Sequence, residues 1–271
     1  MQIALHVVIL KPAAAFEIVG GDEVVAGEYY SQTTVALLTR SARGTGLCTA
    51  SIIAKDLLVT AAHCVTDSFG RLVAVQNHRI VFSRDVEHAG AADLRVVDGV
   101  KVHSTWKGSL SKGKDQGDIA IVHFNGGLPS GFAVAQLLPT SQKLKTGQLV
   151  TLSGYGVTTM DPTKEDGSGL LRKVNITISN ATFAKTEILL DQRGGRGACH
   201  GDSGGPATIQ LGGKNYLFGV TNRGYPENAP DDCKQFSIYT NINAHRSFVN
   251  QAAAELRKVA GPGPSTSWPR S

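Results

Sequence analysis

The amino-acid sequence predicts an all-β protein in two units, closed by one helix at its C-terminus. Three observations predict it. Short β-prone runs recur along the chain, turn signals such as NGG, PSG, DGSG and LGGKN separate them, and one segment near the end has a helical period. The strand candidates are 33–38 (TTVALL), 57–62 (LLVTAA), 71–76 (RLVAVQ), 78–83 (HRIVFS), 118–124 (DIAIVHF), 148–156 (QLVTLSGYG), 172–179 (RKVNITIS), 215–221 (NYLFGVT) and 236–242 (FSIYTNI). A looser, polar stretch near 125–147 divides them into two sets. Residues 243–260 read as the helix: Asn243 is the expected N-cap, Phe248, Ala252 and Leu256 recur every fourth residue, and Gly261 is a stop. The tail 261–271 is expected to be disordered.

With 271 residues the chain is long enough for a full core. Its 41% hydrophobic and 18% charged residues, with glycines scattered through the chain, exclude disordered and collagen-like classes. The net charge of +5 is spread over dispersed Lys and Arg without aromatic interleaving, so no nucleic-acid partner is expected. Residues 1–17 carry the apolar run IALHVVIL followed by small residues. They resemble a secretory signal, although a basic n-region is missing and His6 interrupts the run. No later segment is apolar over the roughly 18 residues that a membrane span needs. Secretion, to an extracellular or periplasmic space, is the expected localisation, with no membrane partner. Cys48, Cys64, Cys199 and Cys233 permit three pairings and form no C-x-x-C unit, which favours two structural disulfides over a metal or redox motif. No metal and no cofactor are expected.

Three local signals carry chemistry. VTAAHC places His63 just after an apolar strand, QGDIAIVHF places Asp118 at the start of another, and ACHGDSGGPA places Ser203 in a glycine-rich turn. Singly, each has an ordinary structural reading. Together they are specific. A serine hydroxyl is a poor nucleophile until an imidazole accepts its proton, and that imidazole needs a buried carboxylate to orient it. An oxyanion needs backbone N–H donors, with glycine where a side chain would obstruct the turn. Gly201 and Ser203 can supply those donors.

From Ile18 to Val259 the chain resembles the chymotrypsin/trypsin-type serine proteases, through IVGG, TAAHC, DIA, GDSGGP, YTNI and the closing helix, in the order His, Asp, Ser. The resemblance implies two six-stranded antiparallel β-barrels packed face to face with a C-terminal α-helix, and a site in the cleft between them. It divides the chain into a signal or pro segment (1–17), a first barrel (18–133), a second barrel (134–242), the helix and the tail. It implies a monomeric serine endopeptidase acting on protein or peptide substrates, subject to protein inhibitors. His63 would be the general base, Asp118 its orienter, Ser203 the nucleophile, and Gly201 and Ser203 N–H the oxyanion hole. Cys48 would pair with Cys64, and Cys199 with Cys233. The frequent third bridge of the second barrel has no cysteines here, so more mobility is expected there.

In such zymogens a cut before IVGG frees an α-amino group that pairs with the Asp preceding the nucleophile. Here that implies an ion pair between Ile18 and Asp202. The ammonium pKa should then lie above its usual value of roughly 7.7–8.0, with the active form lost as alkaline pH deprotonates it. Glu17 departs from the usual Lys or Arg before the cut. Signal cleavage with trimming, or an activating protease of another specificity, would each free Ile18.

By the same resemblance Gly197 lies at the base of the primary specificity pocket, with Gly224 and Ser237 on its walls. Its lack of charge disfavours strict preference for Lys or Arg and suggests a large apolar or aromatic side chain. Two features pull elsewhere. The family's Ser-Trp-Gly strand reads Asn222-Arg223-Gly224, so Arg223 changes the floor of the neighbouring subsite toward an acidic residue. The segment 225–232 carries Glu227, Asp231 and Asp232, any of which would favour a basic one. His200 is a further candidate substrate contact. Asn175 and Asn180 open N-glycosylation sequons. A silent relative acting as a binding protein is disfavoured because all three triad positions are filled. An α/β-hydrolase esterase fails on the order of Ser, acid and His and on the missing βα alternation.

Overall fold

The computed structural model describes residues 18–41, 44–109, 113–159, 167–226 and 233–259. The expected leader, the tail and the acidic residues Glu227, Asp231 and Asp232 lie outside those residues. A two-residue strand β1 (Asp22–Glu23) and a short helix α1 (Tyr29–Thr33) precede the first barrel. Its strands are β2 (Thr34–Ser41), β3 (Gly44–Ala54), β4 (Leu57–Thr60), β5 (His78–Val81), β6 (Leu94–Val102) and β7 (Ala120–Phe124). They close in the order β2-β3-β4-β7-β6-β5.

The second barrel contains β8 (Leu149–Gly154), β9 (Arg172–Asn180), β10 (Glu187–Asp191), β11 (Pro206–Leu211), β12 (Lys214–Tyr225) and β13 (Phe236–Asn241). Their order is β9-β10-β13-β12-β11-β8, and β8 pairs with β9 to complete the closure. Two closed, six-stranded antiparallel barrels result, with β1 added on β9.

Residue pattern explains the strands. In β9, Arg172, Val174, Ile176 and Ile178 point inward, while Asn175 and Thr177 face solvent, the period of two that a half-buried strand requires. β4 and β7 are buried at every position, so they read as continuous apolar runs. Leu217 and Val220 of β12 pack into the same core as the first barrel, as do three side chains of the closing helix, α2 (Arg246–Val259). The two barrels therefore share an apolar boundary. Tyr30 Oη with Thr208 Oγ1 (2.9 Å) and Thr34 Oγ1 with Ser153 Oγ (3.0 Å) add buried hydrogen bonds across it.

Two expectations are corrected. Residues 71–76 are not a strand: they contribute one isolated bridge, Thr66 opposite Leu72, and then a 3-10 turn at Val75–Asn77. Local turn chemistry wins there, because Asp67 Oδ1 accepts the N–H groups of Phe69 (2.9 Å) and Arg71 (3.0 Å). The helix begins at Arg246, so Asn243 is not its N-cap; its side chain accepts a hydrogen bond from Arg246 and donates one to Pro139 O. The fully buried stripe is Val249, Ala252 and Leu256; Phe248 is partly buried against the same core and also meets the His103 ring. Leu256 docks over Gly99, where a Cβ would lie 2.7 Å from Leu256 Cδ2.

Candidate active site

His63 sits in a 3-10 turn (Ala62–Cys64) at the end of β4, and a disulfide from Cys64 to Cys48 fastens that turn to β3. Asp118 lies just before β7 and is fully buried. Its Oδ1 accepts the backbone N–H of His63 at 2.9 Å, and its Oδ2 accepts the ring Nδ1–H at 2.8 Å. The proton is thereby held on Nδ1, leaving a lone pair on Nε2. The His63 side chain is 20% exposed, so the ring opens onto the cleft. Burial alone would depress its pKa; the charge and hydrogen bond of Asp118 more than reverse this, and the net shift is upward from 6.5. Trp106 flanks the ring at 6.4 Å between centroids.

The turn that carries Ser203 is pinned to the first barrel. Thr49 N donates to Ser203 O (2.8 Å) and Thr49 Oγ1 to Gly201 O (2.9 Å), while the Cys64 sulfur lies 3.5 Å from Ser203 O. Gly204 has φ +82°, and a side chain there would collide with Thr60 Oγ1 and Thr49 O. Val157 N donates to His200 O at 2.8 Å. Since C=O and N–H of a trans peptide point oppositely, the Gly201 N–H is turned away from Val157. Gly201 has φ +97°, and a Cβ there would meet Gly156 Cα at 2.7 Å. The Ser203 turn thus lies against the turn that carries His63, although no hydrogen bond joins the Ser203 hydroxyl to the ring in this structure.

Beside Ser203 opens a pocket of about 130 Å³, lined by His200, Asn222, Arg223, Gly224, Ser237 and the Cys199–Cys233 bridge, among others. Gly197 is not in its lining. Space next to Gly197 is filled by the side chain of Gln192, which sequence reasoning missed. Gln192 is fully buried and satisfied: Nε2 donates to Ala198 O (3.1 Å) and Cys233 O (2.9 Å), and Oε1 accepts Ala198 N–H (2.8 Å).

Arg223 is also placed differently from expectation. Its guanidinium donates Nη1 to Glu187 Oε1 (3.0 Å) and Nη2 to Glu187 Oε2 (3.1 Å), with both side chains buried. Its charge is neutralised within the second barrel, which removes the reason to expect an acidic substrate residue above it.

Asp202 is buried behind the Ser203 turn. Its Oδ1 accepts Gly156 N–H (2.8 Å) and Oδ2 accepts Cys199 N–H (2.9 Å). A Cβ on Gly154 or Gly156 would strike this carboxyl group. Burial pushes the pKa of Asp202 up to about 7, against the smaller opposing pull of the two N–H groups and of the Arg172 charge. Ile18 is buried in the second barrel's core, and Val19 O accepts Gly197 N–H at 2.8 Å. The IVGG segment is therefore already seated while Ile18 remains peptide-bonded to Glu17. Asp202 has backbone hydrogen bonds there, and an ion pair with a free Ile18 amine requires the cut. Ile18 has φ +43°, a strained backbone for a β-branched residue.

Two Cys–His groupings come close enough to suggest metal ligation, Cys48–His63–Cys64 and Cys199–His200–Cys233. All four cysteines are disulfide-bonded and have no thiolate to offer.

The chain matches the family model for Trypsin over residues 18–249. Among curated proteins it is 28% identical over 264 residues to the vitellin-degrading protease of Bombyx mori, covering 91% of this chain and 89% of that one. It is 25% identical over 249 residues to trypsin-1 of Astacus astacus (87% and 100% covered). With CLIP domain-containing serine protease B14 of Anopheles gambiae it shares 24% identity over 273 residues (86% and 71% covered).

Proposed function

Because this chain belongs to the trypsin family, and is with it a serine endopeptidase, we propose that it cleaves peptide bonds through an acyl-enzyme on Ser203. The observation that carries the assignment is the double hydrogen bond of Asp118 to His63, which leaves Nε2 as the acceptor facing the cleft. His63 takes the Ser203 proton as Oγ attacks the carbonyl carbon, and then gives it to the leaving amine. Asp118 stabilises the imidazolium that forms between these steps. Gly201 and Ser203 N–H are the donors to the oxyanion, each fixed before the reaction by the contacts of its turn. Water then repeats the cycle to release the acid.

The residue entering the pocket beside Ser203 is an uncharged one. Among the described lining residues there is no carboxylate to meet Lys or Arg, and the glycine and disulfide walls suit an apolar or aromatic group. On the other side of His63 a groove of about 400 Å³ runs past Leu47, Phe69 and Val73 and suits apolar residues of the leaving segment. We also infer secretion and synthesis as a zymogen, activated by release of the Ile18 amino terminus.

A fluorophosphonate, whose phosphorus is attacked by an activated serine with loss of fluoride, tests the assignment on the chain opened at Ile18. The expected result is a mass increase on the Ser203 peptide and loss of cleavage in a peptide library. A folded chain that neither labels at Ser203 nor cuts the library would overturn it. The same library reads the pocket. Gly197→Asp, the simplest route to a basic preference, is expected to bring no cleavage after Lys or Arg. Its side chain displaces Gln192 and breaks that residue's hydrogen bonds, for a loss of about 1–3 kcal/mol in urea unfolding. A gain of basic preference from this single substitution would contradict the packing account.

A further inference from the structure

The loop 113–117, which leads from the first barrel to Asp118, is gripped by the second barrel. Asp115 holds φ +60°, and its Oδ1 accepts Thr186 N–H (2.6 Å) and Thr186 Oγ1–H (2.7 Å), just before β10. Glu187, the first residue of β10, accepts Gln116 N–H at Oε1 (3.5 Å). Arg223 Nη2 donates to Gly113 O (2.9 Å) in addition to its bond with Glu187. Gln116 Nε2 donates to the same carbonyl at 2.7 Å.

The ion pair reaches across a strand. β10 and β12 each pair with β13, where Glu187 lies opposite Thr240 and Arg223 opposite Ile238. Thr240 Oγ1 in turn donates to Asp118 O (3.0 Å) and accepts from Asn222 Nδ2 (3.1 Å). Every one of these contacts ends on the segment that delivers Asp118 or on the strand Asn222–Arg223–Gly224.

A buried ion pair gives little net stability over two well-packed apolar side chains. An apolar pair would hold β10 and β12 together equally well, but it could not bind Gly113 O or Gln116 N–H. The distinctive contribution of this pair is therefore to the loop. The fixed fork of the guanidinium suits it to serve two acceptors at once.

We propose that Arg223 and Glu187 are positioning residues for Asp118: one ion pair sets both the Asp118 loop and the strand expected to pair with substrate. This rests on the reading of His63, Asp118 and Ser203 as the catalytic triad. The pair thereby couples substrate engagement to the orientation of His63 without touching the reacting atoms.

The test uses the chain opened at Ile18, with active sites counted by fluorophosphonate so that unfolded molecules do not enter the rates. Arg223→Met and Arg223→Met/Glu187→Met are compared on a one-residue ester, which fills only the pocket beside Ser203, and on a long peptide. Both variants are expected to lose about 10- to 100-fold in kcat on the ester, the scale of a small misplacement of a catalytic group. The acid limb of kcat/KM should move to lower pH as His63 loses part of its contact with Asp118. The double variant is expected to recover Tm but not rate. Thr186→Val, which loosens the same loop without touching the ion pair, should move the acid limb in the same direction. Ester turnover and acid limb at wild-type values in the double variant, with only the long peptide's KM raised, would make the pair a subsite floor. Recovery of rate together with Tm would make it packing alone. Either result overturns the proposal, whereas failure of Ser203 to label in the unmodified chain would overturn the triad reading instead.

Discussion

Asp118→Asn is expected to lower kcat about 10³- to 10⁴-fold with KM nearly unchanged, approaching the residual rate of Ser203→Ala. The size follows from which atom faces the ring. The backbone N–H of His63 requires an acceptor, and Oδ1 supplies it at 2.9 Å. An asparagine keeps that bond only with its carbonyl oxygen there, which turns its NH₂ toward Nδ1. The ring then accepts at Nδ1 and carries its proton on Nε2, the tautomer that cannot take a proton from Ser203. A second effect adds to this. Burial pulls the imidazole pKa down and only Asp118 raises it, so the substitution reverses the direction of the shift.

In the unmodified enzyme His63 must be neutral to act, so activity is lost as pH falls through its raised pKa. In Asp118→Asn the remaining activity should show that limb at lower pH. A kcat within ten-fold of the unmodified enzyme, on titrated active sites, would show that Asp118 does not orient the base.

The residues proposed to carry the chemistry stand out in the sequence because each is announced by its own short segment. His63 follows a continuous apolar strand, Asp118 precedes another, and Ser203 stands among glycines whose conformations leave no room for a Cβ. The two bridges follow from the family resemblance, and the structure forms both. What was illegible depends on long-range approach. Gln192 follows an apolar strand as an ordinary polar residue would, and only the return of the chain at Gly197 makes it a buried filler. Arg223 reads as an exposed cation until β13 brings β10 within reach and Glu187 meets it from 36 residues away. The false strand at 71–76 has the opposite cause: its pattern is right for β structure, but Asp67 offers the backbone a nearer set of hydrogen bonds. The helix start moved from Asn243 to Arg246 because Asn243 bonds the helix through its side chain from outside.

The difference in stability between the uncut chain and the chain opened at Ile18 is expected to widen as pH rises from about 4 to about 7. In the uncut chain Asp202 has its pKa raised from 3.8 to about 7, chiefly by burial. A group raised in the folded state contributes stability that is fully present below its unfolded pKa and is lost as pH climbs through the folded one. The shift of roughly 3 units corresponds to about 4 kcal/mol, since each unit is 1.36 kcal/mol. Opening the chain places an ammonium on Ile18, and the proposed pair with Asp202 favours the carboxylate and returns its pKa toward the ordinary range. The opened chain should therefore keep this stability through neutral pH. It should lose it only when the amine, itself raised above roughly 7.7–8.0 by the pair, deprotonates. Cutting has a second consequence at the same residue, because Ile18 has no φ once the peptide bond to Glu17 is gone and the strain of φ +43° disappears. That strain is on the order of 1–3 kcal/mol and does not depend on pH. Thermal unfolding of both forms between pH 4 and pH 9, with Ser203→Ala in each to prevent self-digestion, separates the two contributions. A constant gap in Tm is the strain, and a gap that grows by roughly 8–16 °C toward neutral pH is the ion pair. A gap independent of pH would mean that the Ile18 amine does not reach Asp202.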